Sequence, residues 1–471
     1  MAPYNCREFD FIASIFGSKI CIFVTINMLE TYDKTTGMEC GSELLKNQFL
    51  FDPAYRNLNH GSFGTYPRSV RDALRQSQDE CEARPDAYIR YAYPKALDVA
   101  REAVASLVNA PVQTLVFVPN ATTGINTVLR NITFAKGDVI LYFATIYGAC
   151  EKTVTYICET TAAESLKIDY TYPVSDDALC EAFEKAVSQV KAAGQNPRIA
   201  IFDTIVSLPG VRVPFERLIS ACRQHGILSL VDAAHGIGHI PFDLTQLDPD
   251  FLVSNCHKWL YTPRGCALLY VPERNQGLIR STLPTSHGFV PLPTGGAPIN
   301  NPLPPSTKSA FVVNFEFVGT VDNAPYTSLP AAVEFRKAIT WQGKSGEDAI
   351  MSYTQDQARK AGKLVAKILN TEILENAEGT LGNCNFANVK LPLDPTMLAG
   401  GETGKAVKIA QWIANKLVDE YNTFIAIIFH AGAWWVRLSA QVYLTMEDWE
   451  WAGNILKEVC ERVSKGEASQ D

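Results

Sequence analysis

The fold is decided by two segments, Ile227-Leu-Ser-Leu-Val-Asp-Ala-Ala-His-Gly236 and Asp250-Phe-Leu-Val-Ser-Asn-Cys-His-Lys258. Each begins as a short apolar run and ends in polar or charged residues, which is the pattern of a buried strand that ends at the edge of a sheet. Because ligands bind at the carboxyl ends of strands in open α/β sheets, we expect a ligand site where these two segments end. Its candidate residues are Asp232, His235, Ser254, His257 and Lys258.

Outward from these segments, short apolar runs alternate with stretches of helical periodicity. Strands are predicted at residues 114–118, 139–143, 198–202, 227–231, 251–254 and 267–270. Helices are predicted at residues 71–109, 122–130, 148–159, 177–193 and 215–225. This alternation indicates βαβ units around a mostly parallel, buried sheet, and so an α/β fold.

The length of 471 residues favours two domains. Residues 281–308 are rich in Pro, Gly, Thr and Ser and interrupt the alternation, as a long loop between domains would. We therefore predict a large domain at 47–308, with the interdomain loop at 281–308, and a smaller α+β domain at 309–471.

Residues 1–46 form an N-terminal extension whose role the sequence leaves open. Its apolar stretch is interrupted by Asp10 and Lys19, so the longest charge-free run is too short to span a bilayer. We expect an arm that packs on the body or on a partner subunit. A later start at Met28 or Met38 and a membrane anchor are the alternatives.

Composition excludes several classes of function. The formal net charge is −8 and no Lys/Arg-rich run occurs, so we expect no nucleic-acid partner. The 12 cysteines include no CxxC pair, so we expect no structural metal and reduced thiols in a cytoplasmic protein. We expect no association with a membrane.

Lys258 and Asp232 together favour pyridoxal phosphate as the cofactor. A desolvated lysine becomes a nucleophile towards carbonyls, although a lone lysine after a strand is more often a surface residue. A buried carboxylate needs a cationic partner, which a protonated pyridine nitrogen would supply, although an N-cap is the simpler interpretation of Asp232 alone. Ala121, Thr122 and Thr123 open a predicted helix and offer an anion site that Ser254 and His257 could complete.

These motifs resemble the class V (fold type I) pyridoxal-phosphate enzymes, the group of cysteine desulfurases and isopenicillin-N-epimerase-like proteins. Matching residues lie in the expected order along most of the chain. They are Asn59 and His60 near the substrate, Tyr147 stacked on the cofactor ring, Ser207 beside its 3-hydroxyl, Gly319-Thr320 at the phosphate of the second subunit, and Arg437 at the substrate carboxylate. The resemblance implies a large domain with a mainly parallel seven-stranded sheet, a smaller C-terminal α+β domain and a homodimer.

Longer stretches, such as Phe51 to Gly64 and Thr145 to Thr153, look like the fungal hercynylcysteine sulfoxide lyases of ergothioneine biosynthesis. This likeness implies β-elimination from a cysteine-conjugate sulfoxide, with Lys258 as the base and Tyr147 as a general acid. Arg90 and His287 are further candidates for substrate contact, against plain surface and loop roles. The rival hypotheses are an epimerase or secondary-metabolite cyclase of the same family, and a non-catalytic protein kept as a scaffold.

Overall fold

The computed structural model describes residues 37–292 and 301–469, so the expected N-terminal arm and the middle of the predicted interdomain loop lie outside the described residues. The strands within the described residues, numbered in chain order, are β1 Met38–Glu39, β2 Leu115–Val118, β3 Asp138–Phe143, β4 Glu164–Ile168, β5 Asn196–Asp203, β6 Leu228–Asp232, β7 Phe251–Ser254, β8 Ala267–Tyr270, β9 Ile339–Trp341, β10 Lys344–Ser345, β11 Phe386–Lys390, β12 Ala426–His430 and β13 Ala433–Ser439.

The helices that follow are those within the same described residues. In chain order they are α1 Glu43–Lys46, α2 His60–Phe63, α3 Arg68–Ala83, α4 Pro85–Ala87, α5 Tyr93–Val108, α6 Ala121–Asn131, α7 Gly148–Thr160, α8 Asp176–Ala192, α9 Phe215–His225, α10 Leu244–Leu247, α11 Cys256–Trp259, α12 Glu273–Gln276, α13 Ala310–Glu316, α14 Ala324–Thr327, α15 Leu329–Lys337, α16 Gly346–Leu369, α17 Pro395–Ala399, α18 Thr403–Asp419 and α19 Met446–Ser464. A π-helical turn, Tyr88–Ala92, joins α4 to α5.

The central sheet has seven strands in the order β2-β8-β7-β6-β5-β3-β4. β8 runs antiparallel to both β2 and β7, and the pairings that join β7, β6, β5, β3 and β4 are parallel. The prediction of a mainly parallel seven-stranded sheet in an α/β fold is therefore confirmed. The parallel strands place their carboxyl ends at one edge.

Apolar side chains cover both faces of this sheet, because successive strand residues point to opposite sides. Ala200 and Phe202 of β5 pack with α5, α8 and α9 on one face, whereas Ile199 and Ile201 pack with α6 and α7 on the other. A strand buried on both faces has no alternating polar pattern, which is why the sequence shows it as an uninterrupted apolar run.

A second sheet follows late in the chain, with β13 between β11 and β12 in antiparallel pairing. α16 packs against α19 and against β11. β13 carries Arg437, which is directly opposite Asn388 of β11 and Ala426 of β12. β1 pairs in parallel with β9, so residues 38–39 join the later part of the chain through a small third sheet. The boundary between 47–308 and 309–471 stays a prediction.

The single helix predicted at residues 71–109 is instead divided into α3, α4, the π-helical turn and α5. Pro85 and Pro94 explain the division, because a proline lacks the N–H that a continuous helix needs and restricts the residue before it. Within the described ranges, no helix combines the length and the apolar character that a membrane crossing requires.

Candidate active site

Two buried carboxyl groups lie side by side at the edge of the central sheet. Asp203 ends β5, Asp232 ends β6, and the two residues are partners in the parallel pairing. Only 6% of Asp203 and 2% of Asp232 is exposed. Burial raises the pKa of both, and the charge of Asp232 adds to the rise at Asp203. Because a buried carboxylate is costly without a cationic partner, this pair would be stabilised by a bound cationic group.

Lys258 faces these carboxyl groups from the short helix α11, just beyond the end of β7. Burial, followed by the positive charge of Arg437, lowers the pKa of its amine to about 8, while Asp232 and Asp203 oppose the shift. At neutral pH the amine loses its proton far more readily than an ordinary lysine, as a nucleophile or base must. Arg264, six residues after Lys258 in the sequence, is exposed and is not among the causes of this shift.

His235 joins Lys258 to the surrounding aromatic residues. Its Nε2 lies 3.1 Å from Lys258 Nζ, and the indole Nε1 of Trp259 donates to its Nδ1 at 3.3 Å. Burial and the charges of Lys258 and Arg437 hold its pKa well below the usual range, so the ring is neutral. His235 therefore contacts the reactive amine directly.

The guanidinium of Arg437 is buried and hydrogen-bonded to other residues of the chain. It has no carboxylate partner among the described residues. Its Nη1 donates to the Ser207 carbonyl at 2.6 Å, and its Nη2 donates to Asn59 Oδ1 at 2.8 Å and to the Ser62 hydroxyl at 2.9 Å. Its Nε has no partner, and only 1% of the residue is exposed. A buried cation with an open N–H fits the carboxylate of an amino-acid ligand.

The first turn of α6 is arranged as an anion site. The Asn120 side chain caps the helix by accepting from the Thr123 N–H at 2.8 Å, and the Ala121 N–H donates to Asn255 Oδ1 at 2.8 Å. The N–H and hydroxyl of Thr122 have no protein partner in the described part of the chain. Thr122 therefore offers the free donors of this turn, while Ala121, predicted as a phosphate contact, has its N–H occupied.

Ser254 and His257 were both predicted to complete the anion site, and their side chains have different hydrogen-bond partners. The Ser254 hydroxyl donates to the Ala233 carbonyl at 2.6 Å and accepts from the Ile237 N–H at 3.2 Å, in a fully buried position. Ser254 therefore stabilises the turn after β6 rather than a phosphate, which corrects the expectation. His257 Nδ1 donates to the Cys266 carbonyl at 3.0 Å, and its Nε2 is left for a ligand.

His60, predicted as a substrate contact, instead supports the backbone of the reactive lysine. Its Nε2 donates to the Lys258 carbonyl at 2.5 Å, and its Nδ1 lies 3.0 Å from the Tyr443 hydroxyl. With 1% of the residue exposed and both ring nitrogens bonded, it has no free atom for a substrate. The loop packs tightly here, because a Cβ at Gly64 would lie 1.8 Å from the His257 carbonyl oxygen.

Comparisons with known proteins agree with this geometry. Residues 90–448 match the sequence profile of the family described as Aminotransferase class-V. The chain belongs to the class-V aminotransferase family. The resemblance inferred from the sequence is thereby confirmed, and pyridoxal 5'-phosphate is the cofactor of this enzyme.

Two curated relatives align over most of the chain. The L-cysteine desulfhydrase-like protein lolT1 of Epichloe uncinata is 39% identical over 447 residues, covering 90% of this chain and 96% of the relative. The hercynylcysteine sulfoxide lyase of Schizosaccharomyces pombe is 30% identical over 416 residues, covering 88% and 97%. A solved complex between the cystine C–S lyase C-DES and its product cysteine persulfide superposes with a TM-score of 0.65 at 20% identity, covering 87% and 98%. This last likeness supports the fold.

The residues present fit the cofactor of the class-V family. The Asp203–Asp232 pair fits a protonated pyridine nitrogen, the free donors of Thr122 fit a phosphate, and Lys258 fits the aldehyde. The Ser207 carbonyl is held by Arg437, which places this loop beside the same pocket. Among the described residues, no three His, Cys, Asp or Glu side chains are grouped to hold a metal ion.

Tyr147 caps the start of α7, three residues before Cys150, whose thiol donates to Asp232 Oδ2 at 3.5 Å. Its side chain is 51% exposed and has no hydrogen bond to the described residues. The cap position brings Tyr147 to the edge of the sheet where Asp232 lies. Its phenol therefore stays available for a ligand, as a stacking or acid role requires.

Four other predicted residues have no contact with Lys258 or its neighbours in the structure of the described residues. Arg90 donates to Asp86 at 2.9 Å and to the Pro302 carbonyl at 2.8 Å, at the surface. His287 is exposed and lies beside Phe317. Gly319 has a φ of +74° and lies beside Pro284, and Thr320 next to it is exposed. Contacts of these residues with a substrate or a second subunit stay predictions.

Sequence reasoning missed several members of the site. They are Asp203, Cys150, Ser62, Asn255 and Trp259, which contact or face predicted residues. Asp203 had a signal in principle, since it follows an apolar run exactly as Asp232 does. Cys384 is fully buried, and burial raises the pKa of its thiol to about 12.

Proposed function

We propose that this enzyme is a pyridoxal-phosphate-dependent carbon–sulfur lyase that cleaves the Cβ–S bond of a cysteine-conjugate sulfoxide of the hercynylcysteine type. The supporting observation is a Lys258 amine of lowered pKa that is influenced by two buried carboxyl groups and by a guanidinium with no carboxylate partner among the described residues. One site thus combines a base (Lys258), a pair of carboxyl groups (Asp203 and Asp232) and a cation that can bind a substrate carboxylate (Arg437). The products would be a sulfenic acid, pyruvate and ammonia.

The bound cofactor supplies an electron sink that stabilises negative charge at the substrate Cα. The chain supplies the remaining functions. The Lys258 amine removes the Cα proton, which its lowered pKa permits at neutral pH. Asp232, beside Asp203, provides the negative charge that keeps a pyridine nitrogen protonated.

Arg437 is proposed to hold the substrate carboxylate. Asn59 and Ser62 hold its Nη2, and the Ser207 carbonyl holds its Nη1, so the guanidinium plane is set before a ligand arrives. A Cβ at Gly210 would lie 2.6 Å from Arg437 Cδ, so glycine is needed for this arginine to pass. A fixed carboxylate orients the Cα–H bond for proton removal.

Tyr147 is proposed to give its phenolic proton to the departing sulfur group. Its exposed, unbonded side chain at the start of α7 is free to approach a substrate. The Cβ–S bond breaks, the sulfur carries away the electron pair, and the proton from Tyr147 neutralises it. The remaining three-carbon fragment takes up water and ends as pyruvate and ammonia.

The substrate class rests on the relatives. Both the desulfhydrase-like and the hercynylcysteine sulfoxide lyase relatives are named for cysteine-derived substrates, and each covers about nine-tenths of this chain. We also propose a role in ergothioneine biosynthesis, which is what the sequence resemblance to the fungal lyases implies. We also propose a homodimer, in which Gly319 and the exposed Thr320 reach the phosphate of the partner's site. The cysteines within the described residues are all free, which supports a cytoplasmic location.

The test is an assay of pyruvate release. The purified, cofactor-loaded protein is offered S-substituted cysteine sulfoxides, the matching thioethers and cysteine itself. Faster pyruvate release from a sulfoxide than from its thioether supports the proposal. Racemisation at Cα or ring closure without pyruvate would identify the epimerase or cyclase alternative, and a protein that takes up no cofactor would identify the scaffold alternative.

A further inference from the structure

The hydrogen bonds around His235 determine which of its nitrogens carries the proton. The indole Nε1 of Trp259 can only donate, and it lies 3.3 Å from His235 Nδ1, so Nδ1 must act as an acceptor. A neutral imidazole then carries its proton on Nε2. That proton points at Lys258 Nζ, 3.1 Å away.

This arrangement constrains the lysine. An ammonium group has only donors, so a protonated Lys258 would place N–H groups against the Nε2–H of His235. A neutral amine has a lone pair that accepts this proton. The two nitrogens are therefore satisfied together only when Lys258 has lost its proton.

We propose that Trp259 is a positioning residue that holds His235 in its Nε2–H tautomer and, through it, keeps Lys258 as a neutral amine. The inference rests on the proposed function, in which Lys258 is the base and nucleophile. It adds Trp259, the residue that follows Lys258 in the sequence, which contacts neither the substrate nor the cofactor in the proposed function.

The indole is held firmly enough for this role. Only 1% of Trp259 is exposed, and its ring lies between His239, at 3.9 Å between ring centroids, and Phe386, at 5.5 Å. The Trp259 carbonyl accepts from Arg336 Nη1 at 2.6 Å. Packing on these sides prevents the indole N–H from turning away from His235.

Other charged groups face the same amine and must be accounted for. Arg437 on β13 favours the neutral amine, whereas Asp232 on β6 and Asp203 on β5 favour the ammonium. The titratable groups that act on His235 itself are Lys258, Arg437, His239 and His257. Substitutions at Trp259 change none of these charges, so they isolate the effect of the tautomer.

The experiment measures the pH at which Lys258 loses its proton in the full-length chain after cofactor removal. Competitive trace acetylation across a pH series, followed by mass spectrometry of the Lys258 peptide, reports this midpoint without any turnover. W259F removes the N–H donor, so His235 can move its proton to Nδ1 and accept from the ammonium. We expect the midpoint to rise by about one pH unit, as one hydrogen bond to a charged group would produce.

W449F is the matched control, because Trp449 is fully buried and its indole N–H has no hydrogen-bond partner. It should leave the midpoint unchanged. Replacing Trp259 with a benzothienyl alanine keeps the shape without the N–H, and should reproduce the W259F shift even if W259F itself folds poorly.

A double-mutant cycle decides the route of the effect. H235Q should raise the midpoint by itself, since its amide can turn its oxygen towards the ammonium, and W259F should then add nothing. A wild-type midpoint in both Trp259 variants, or a Trp259 effect that persists in H235Q, would overturn the proposal. Failure of the proposed function would appear separately, as absent pyruvate with an unaltered labelling result.

Discussion

The floor of the site and its mouth are built in different ways. At the floor, which is formed by Lys258, His235 and Arg437, Lys258 is half-buried and the other two are fully buried. All three are bonded to other residues of this chain. At the mouth, Tyr147 is 51% exposed and has no hydrogen bond to the described residues. The floor is therefore preorganised for chemistry at Cα, whereas the mouth keeps a side chain free for a ligand. Reaction type and substrate choice should respond separately to substitution.

The largest effect is expected at the floor, from Lys258→Ala. Loss of the amine removes both the nucleophile and the base, so kcat should fall by roughly 10⁴-fold or more. Pyruvate release measures the loss, and K152A, at an exposed lysine of α7, serves as the control. Turnover near the wild-type rate in K258A would mean that another base does the work.

Next comes Tyr147→Phe at the mouth. Removing the phenolic proton should slow C–S cleavage by about 10² to 10³-fold, in the range of general acid catalysis. Exchange of the Cα hydrogen with solvent deuterium, followed by mass spectrometry, should continue, because the floor is intact. If exchange and pyruvate release fell together, Tyr147 would belong functionally to the floor, and the comparison would fail.

A smaller effect is expected for Arg437→Lys. Lysine cannot reproduce the planar fork, so kcat/KM should fall by about 10 to 10²-fold, as loss of one charge-assisted hydrogen bond predicts. The diagnostic measurement uses a substrate analogue that lacks the carboxylate. Wild type should discriminate against the analogue, and R437K should discriminate much less. Equal discrimination by both would place the carboxylate elsewhere.

The smallest effect concerns stability of the cofactor-free chain and comes from Asp203→Asn. The pKa of Asp203 is raised in the folded state by burial and by Asp232, so its contribution to stability is present at low pH and is lost as pH rises through the folded pKa. D203N should therefore gain stability relative to wild type as the pH rises from 5 to 8. Urea unfolding at the two pH values measures it. A difference that is constant with pH, or that shrinks, would contradict the paired-carboxyl interpretation.

Much of the central sheet was predictable from sequence because its inner strands are apolar on both faces. β4 was missed, since this edge strand reads Glu-Ser-Leu-Lys-Ile and three of its five residues are exposed. α18 and β12 were also missed. The long amphipathic patterns at residues 348–369 and 446–465 predict helices, and α16 and α19 lie there within a few residues. Edge elements receive fewer packing constraints, and their sequences show correspondingly less pattern.

In the site, the positions of residues that follow apolar strands could be predicted from the sequence. Their hydrogen-bond partners could not. Lys258 and Asp232 stand out by position alone. Whether Ser254 bonds a phosphate or the Ala233 carbonyl, and whether His60 faces a substrate or the Lys258 carbonyl, depends on distances between segments far apart in sequence. Trp259 shows the same limit, because its donor role depends on a side-chain direction that periodicity does not encode.

The most direct test of the account is chemical trapping of the bond between the protein and its cofactor. The loaded enzyme is reduced with borohydride, digested, and searched by mass spectrometry for the lysine that carries the pyridoxyl group. The account predicts stoichiometric modification of Lys258 and none in the K258A variant. Stoichiometric modification of a different lysine in the wild-type protein, with Lys258 unmodified, would contradict it.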